Sequence, residues 1–542
     1  MNKHMYTMLC SLLSLSMVLT ACGGSAKQTP SEHREQDKIS QNTTNSFRIN
    51  MKNDPTSLNP GQISDQTSIA LIKAVMEGLT RIGPDGKPQN AVAENIKISA
   101  DQKTYTFKLR ETKWSNGDPV TAGDFEYAWK WELSPKNDSQ FAYQLYPILN
   151  AEKVKKGEVA PDQVGIKAID TKTLEVTLTN PTPYFLEIIA FPTYFPVNQK
   201  IAEKNNDWQK DTSVFVGNGP FKPTKWQHGS KIILEKNTTY WDATTVKLNQ
   251  IDMTIMEDPN KELSLFKDGN LDWAGAPLSE IAIEGMPELR KSGRLLTFPI
   301  AGTYLYKFNT KITPFNNTKI RKAFAYAINR KMLAENIMQD GQMPAMAYVP
   351  PTMFKENEKG YFPDANYEEA KKLLKEGMEE LGISELPPIE LSINTSEAHT
   401  KIAGAIQDMW KSHLGAEVAL KSTEWNDHLD NIKKGKFQIA RISWLGDFND
   451  PATFLEIYTL PQGNNNTYWT NDQYNQLIKA SYSEKDATER QRSLREAEKI
   501  LMDEMPFIPI YFYTMSYAKS DKIKDIYIDS LGNIDFKWAH LD

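Results

Sequence analysis

Cysteine is almost missing from this chain: its 542 residues include Cys10 and Cys22 and none beyond position 22. A body without thiols has no thiolate nucleophile, no cysteine-ligated zinc or iron–sulfur cluster, and no disulfide. Histidine is scarce too, and the seven present are scattered without a metal-ligand spacing. No metal and no cofactor are therefore expected. A concentrated basic surface is also lacking. Lys and Arg number 63 against 69 Asp and Glu, for a net charge of −6, which argues against nucleic acid as a partner. Nor are Gly and Pro enriched, at 28 and 30, so collagen-like and low-complexity classes drop out. Catalytic signatures are absent as well. There is no GxSxG, HExxH or GxxxxGK[ST], and Gly217-Asn218-Gly219 continues as Pro220-Phe221-Lys222 instead of completing GxGxxG. Nothing singles out a pair of carboxylates for glycosidase chemistry. The absences lean toward binding over catalysis.

One apolar run stands out, Tyr6 to Leu19 behind Lys3. It is shorter than the roughly 20 residues a bilayer span needs, so residues 1–21 read as a signal peptide. Leu19-Thr20-Ala21-Cys22 resembles the bacterial lipobox, which implies cleavage before Cys22 and a lipid on its thiol. Residues 22–46 hold no aromatic and little that is apolar beyond Ile39, and are read as a disordered tether. The body is thus expected outside the cytoplasm, lipid-anchored at the cell membrane.

Within the body, period-two and period-3.6 patterns both recur, which indicates an α/β fold. Tyr105, Phe107 and Leu109 alternate with polar residues, as do Leu174, Val176 and Leu178. Lys231–Glu235 and Ile251–Met256 read as further strands. Helices are expected over Asp364–Glu380 and in the stretch of Leu494, Ala497, Ile500 and Leu501 that ends at Met505-Pro506. No repeat and no low-complexity joint divides the body, which suits interleaved domains.

The most informative stretch is Phe437 to Glu456. Phe437, Ile439, Arg441 and Ser443 share one face of an expected strand, with Ala440, Ile442 and Trp444 on the other. Arg441 in so apolar a strand needs a partner. Asp450 suits a helix N-cap, with Pro451 at the first helical position. Asp447 is not explained by that cap. It lies just past a strand's carboxyl end, where α/β sheets commonly place ligands, and a plain turn residue is the equal alternative.

Trp444-Leu445-Gly446-Asp447-Phe448-Asn449-Asp450-Pro451-Ala452-Thr453-Phe454-Leu455 resembles the ligand-binding segment of oligopeptide-binding proteins, the extracytoplasmic receptors of peptide ABC importers (solute-binding family 5). The likeness extends over nearly the whole mature chain. It includes Glu77-Gly78-Leu79, the run from Trp114 to Ala122, Gly217 to Phe221, Pro314-Phe315-Asn316 with Ile320-Arg321-Lys322-Ala323, and Pro509-Ile510-Tyr511.

The resemblance implies a fold like type II periplasmic-binding proteins, two lobes on a hinge plus an extra domain. Domain I would comprise 47–76, 201–298 and 515–542, domain II 77–200, and domain III 299–514. It implies that Asp447 holds a peptide's α-ammonium, that Arg441 and His399 meet its carboxylate, and that Trp425, Trp444 and Tyr513 line side-chain pockets. Two departures are visible. Leu445 stands where some members carry a disulfide cysteine, and no lysine follows Pro314-Phe315 near Glu335-Asn336 for longer peptides. The implied partners are an oligopeptide, the permease subunits of an ABC importer, and the membrane through Cys22; the protein is expected to act as a monomer. A receptor dedicated to a murein or signalling peptide is the alternative within this class, and a secreted peptidase the alternative outside it.

Overall fold

Two strands of 13 residues each run through the middle of the protein and belong to both halves of its main sheet. The computed structural model describes residues 45–63, 65–459 and 464–542. The signal peptide, Cys22 and nearly all of the expected tether lie outside the described residues.

In chain order the strands are β1 (Ser46–Met51), β2 (Ala93–Ile98), β3 (Thr104–Leu109), β4 (Ile166–Asp170), β5 (Thr173–Thr177), β6 (Phe221–Gln227), β7 (Lys231–Lys236), β8 (Gln250–Ile255) and β9 (Trp273–Gly275). They continue with β10 (Leu296–Phe308), β11 (Ile389–Asn394), β12 (Val418–Thr423), β13 (Ile439–Leu445) and β14 (Phe507–Lys519). The main sheet runs β12-β11-β13-β10-β14-β9-β1-β8-β7-β6, with Met343–Pro344 beside β14. The first half of β10 pairs the second half of β14, whose end reaches β9; the second half of β10 pairs β13. Register breaks between Pro299 and Thr303 mark the change from one half-sheet to the other. A separate four-stranded antiparallel sheet has the order β2-β3-β5-β4.

Burial follows this division. One core gathers Phe47 to Leu278 together with Ile523 to Ala539, and a second gathers Ala301 to Tyr511. Apolar side chains at period two explain the strands: Tyr105, Phe107 and Leu109 point into the first core while Thr104, Thr106 and Lys108 stay wetter. Leu178 falls one residue past β5, where it makes a bridge to Ile148.

Seven helices serve the argument: α1 (Gln66–Val75), α2 (Ala122–Leu133), α3 (Tyr367–Leu381), α4 (Glu397–Leu414), α5 (Trp425–Lys433), α6 (Ala452–Leu455) and α7 (Ala487–Glu504). The helix expected from Asp364 begins three residues later. Asp364 is taken by the buried Arg330, whose Nη1 lies 3.2 Å from its Oδ1, and by the Lys331 amide. Among the described residues, no helix is long and apolar enough to cross a membrane.

The Gly-Asn-Gly of 217–219 proves to be a packing device. A Cβ on Gly217 would sit 2.0 Å from the Val75 carbonyl oxygen, and one on Gly219 2.5 Å from the Met76 nitrogen. Asn218 between them exchanges two 2.9 Å hydrogen bonds with the Glu77 main chain. Glu77 is itself fully buried and receives Arg81, Tyr240 and Trp241.

Candidate functional site

β13 places the first charged residue. It lies between β10, antiparallel, and β11, parallel, with Arg441 opposite Tyr306. Arg441 is 5 % exposed. Its Nη1 donates to Asn394 Oδ1 at 3.1 Å and its Nη2 to the Tyr513 hydroxyl at 3.3 Å. The guanidinium carbon stands 4.6 Å from the centre of the Tyr304 ring, and Nε is buried with no partner. Among the described residues no carboxylate pairs with this cation. A buried guanidinium left in that condition is costly, so the site favours an anion.

His399 joins the same cluster from the first turn of α4, where Ser396 is the N-cap. Its Nδ1 lies 3.3 Å from the Tyr304 hydroxyl. Burial, then the charge of Arg441, then His428 push it down to about 4, so the imidazole is neutral at pH 7. The helix N-terminus adds positive potential. Tyr304, Tyr511 and Tyr513 stack or tilt against one another with centroids 4.7 to 6.5 Å apart. Tyr513 therefore belongs to the cluster. Trp425 stands at its edge, the first residue of α5, 44 % exposed and 6.2 Å from the His428 ring. Trp444, two residues beyond Ile442 on β13, is half-buried, its Nε1 enclosed without a partner.

Sequence reasoning missed His428. It is 1 % exposed, and its Nε2 lies 2.7 Å from the Arg441 carbonyl oxygen, so it holds the strand that carries the guanidinium. The signal was the i, i+3 spacing of Trp425 and His428, which puts both on one helical face.

Past β13 the chain turns at Gly446, and Asp447 follows. Its amide donates to Thr453 Oγ1 at 2.9 Å, which fixes the turn against α6. Its carboxylate Oδ1 accepts from the Tyr143 hydroxyl at 3.0 Å. No cation pairs with Asp447 among the described residues, and burial pushes its carboxyl above the usual range while the Tyr143 bond pulls it back. It lines a small cleft with Glu187, Phe191 and Asn533. Tyr143 also escaped the sequence reading, because nothing local links it to a residue 304 positions away.

The flanking residues fasten this turn to other parts of the body. Phe448 stacks on Tyr184 at 4.3 Å, and the Asn449 amide donates to the Gly86 carbonyl at 3.0 Å. Asp450 is not the N-cap that the sequence suggested: α6 begins at Ala452 with Pro451 as its cap, and Asp450, one residue earlier, accepts the Ala452 amide at 2.9 Å in a turn. It has a further role: both its oxygens take Arg490 of α7, at 2.7 and 2.8 Å. The structure thus gathers Arg441, His399 and Tyr513 in one cluster, with Trp425 beside the His428 ring, and puts Asp447 two residues past the end of the same strand; it does not bring Trp444, three residues along β13 from Arg441, into contact with that cluster.

The model of bacterial extracellular solute-binding proteins, family 5 (middle), matches residues 87–466. The chain belongs to this family. It is 47% identical to the oligopeptide-binding protein OppA of Bacillus subtilis over 99% of both chains. The unliganded open form of MppA, a periplasmic murein tripeptide-binding protein, superimposes with a TM-score of 0.84 at 30% identity, covering 92% of this chain and 97% of that one. Haemophilus influenzae OppA in complex with the peptide RPPGFSPFR gives 0.68 at 29% identity, covering 92% and 99%. The fold is that of family 5 solute-binding proteins, mixed α/β around a large sheet and like type II periplasmic-binding proteins, as the motifs implied.

Proposed function

We propose that this protein is an extracytoplasmic receptor that holds an oligopeptide between two lobes and delivers it to an ABC importer. One observation carries the reading. Among the described residues, a half-buried carboxylate that pairs with no cation, Asp447, lies two residues past the end of β13, and a buried guanidinium that pairs with no anion, Arg441, lies within that strand. A zwitterionic peptide supplies both missing charges. Asp447 takes the α-ammonium through a charge-assisted bond, which every unblocked peptide can make. Arg441, with His399 beside it, takes a carboxylate at a position set by peptide length; a planar fork suits that task and a lysine would not replace it. Trp425, Trp444 and Tyr513 wall the side-chain space. The 47% identity to an oligopeptide-binding protein supports the same ligand class.

Domain I is taken as 47–76, 201–298 and 515–542, domain II as 77–200 and domain III as 299–514, with β10 and β14 as the hinge strands. The higher TM-score against an unliganded open form than against a peptide complex supports reading this conformation as open. Closure on the peptide then becomes a population shift that the importer's membrane subunits sense. A lipid on Cys22 would hold the monomer near those subunits and raise its effective concentration there.

Mass spectrometry of whatever copurifies with the protein tests the reading. A mixture of peptides with free amino termini is expected, and one recurring sequence would mark a receptor dedicated to a murein or signalling peptide. Shortening of added peptide by the pure protein would instead identify a peptidase.

A further inference from the structure

Away from the Asp447 cleft, and sharing none of its lining residues, α2 and the segment from Phe195 to Gln209 enclose a cavity of about 240 Å³. That exceeds the roughly 150 Å³ that suffices for benzene. Gly61 closes one wall; a Cβ there would meet Trp131 at 2.8 Å and the Glu132 Cγ at 2.9 Å. Four aromatic rings line the space, Tyr127, Trp131, Phe195 and Trp208, together with Glu132 and Gln209.

Asn59, Gln62 and Asn206 also line it with neutral amides, and its one charged side chain is an acid. Glu132 is 2 % exposed; its Oε2 accepts from Thr193 at 2.9 Å and Ser139 at 3.1 Å. No cation pairs with that carboxylate among the described residues. The nearby Lys155 donates to the Glu132, Ser134 and Asn137 carbonyls instead. Gln209 is 6 % exposed, and its Oε1 is buried with no donor. No lysine or arginine lines the cavity. Burial pushes the Glu132 carboxyl up to about 8, against the pull of Thr193, Ser139 and Lys155, so the empty site holds the neutral acid at pH 7 and a bound cation would draw it to the carboxylate, releasing the proton to solvent. A buried acid, an orphaned acceptor and surrounding aromatic rings together describe a place for a positively charged donor.

We propose that this cavity binds a small primary or secondary organic ammonium, held by the Glu132 carboxylate and the Gln209 amide oxygen among the aromatic rings. The site is independent of the peptide cleft, and neither reading depends on the other.

Calorimetric titration of the whole protein with n-butylammonium tests it, with n-butanol and tetramethylammonium as controls. Wild type and Asp447→Asn are expected to bind n-butylammonium saturably and alike. Glu132→Gln should bind at least tenfold more weakly, and Gln209→Leu about fivefold. Tetramethylammonium, which lacks an N–H for Gln209, should bind more weakly, and n-butanol not at all. Should Glu132→Gln not fold, Gln209→Leu decides. Three results would overturn the proposal: no saturable binding, equal binding of n-butanol, or binding lost in Asp447→Asn and kept in the cavity variants, which places the amine in the peptide cleft.

Discussion

The Tyr143 hydroxyl donates to Asp447 Oδ1 at 3.0 Å, joining a short helical turn in one part of the body to the end of β13 in another. A carboxylate has about four acceptor positions, so this bond leaves the second oxygen open to a ligand's ammonium while fixing the rotation of the group. Tyr143→Phe removes the orienting donor and keeps the ring. Peptide affinity should fall by roughly fivefold, about 1 kcal/mol, with the fold intact by circular dichroism. Unchanged affinity would show that the bond does not position Asp447.

His399 gives the binding a pH signature. In the empty protein it sits at about 4, below the ordinary imidazole value, so it is neutral through the physiological range. A carboxylate bound beside it favours the protonated ring and raises that value. Protons are therefore taken up with the ligand, and affinity for the carboxylate rises as pH falls below 7. The ratio of affinities for a free-acid peptide and its C-terminal amide should grow between pH 7.5 and 5.5. His399→Asn should flatten the trend, and a ratio independent of pH in the wild type would remove His399 from the carboxylate site. Taking the ratio cancels the opposing effect at Asp447, which loses its charge as pH falls through its raised value.

Asp450 supports the turn that carries Asp447. Its two bonds to Arg490 are largely buried, and removing one partner leaves an uncompensated charge. Asp450→Ala should cost about 3 kcal/mol in chemical denaturation, more than a surface ion pair would, and Arg490→Met with Asp450→Leu should recover part of the loss. A cost under 1 kcal/mol for Asp450→Ala would show the pair to be dispensable.

Much of the fold was legible where the pattern is local. Tyr105, Phe107 and Leu109 announce a strand by alternation alone, and Leu494 to Leu501 a helix by spacing. The two long strands were not legible. Pro299 and Pro509 interrupt the alternation of β10 and β14, and a strand that changes half-sheet midway does not keep one buried face. The same holds for the site. Asp447 announced itself because an expected cap explained its neighbour and not it. His399 entered only through the family resemblance, because Tyr304 and Arg441, which it meets in the fold, are far away in sequence. Tyr143 and Asn394 were silent because their roles exist only through long-range contacts.

Gly217 illustrates a motif whose meaning is packing. Any side chain there must displace the Val75 carbonyl at the end of α1, which backbone cannot do cheaply. Gly217→Ala should lower stability by roughly 3 kcal/mol or abolish soluble expression, measured against Gly229→Ala, whose Cβ would meet nothing within 4 Å but whose φ of +67° carries a smaller strain. Equal stability of the two variants would contradict the packing role.

The central claim is that Asp447 holds a peptide's amino terminus. Calorimetry of one peptide, free and N-acetylated, against wild type and Asp447→Asn tests it most directly. The free peptide should bind the wild type at least 2 kcal/mol more tightly than its acetylated form, about thirtyfold. In Asp447→Asn that difference should largely vanish. Equal binding of the two peptides to the wild type would contradict the account.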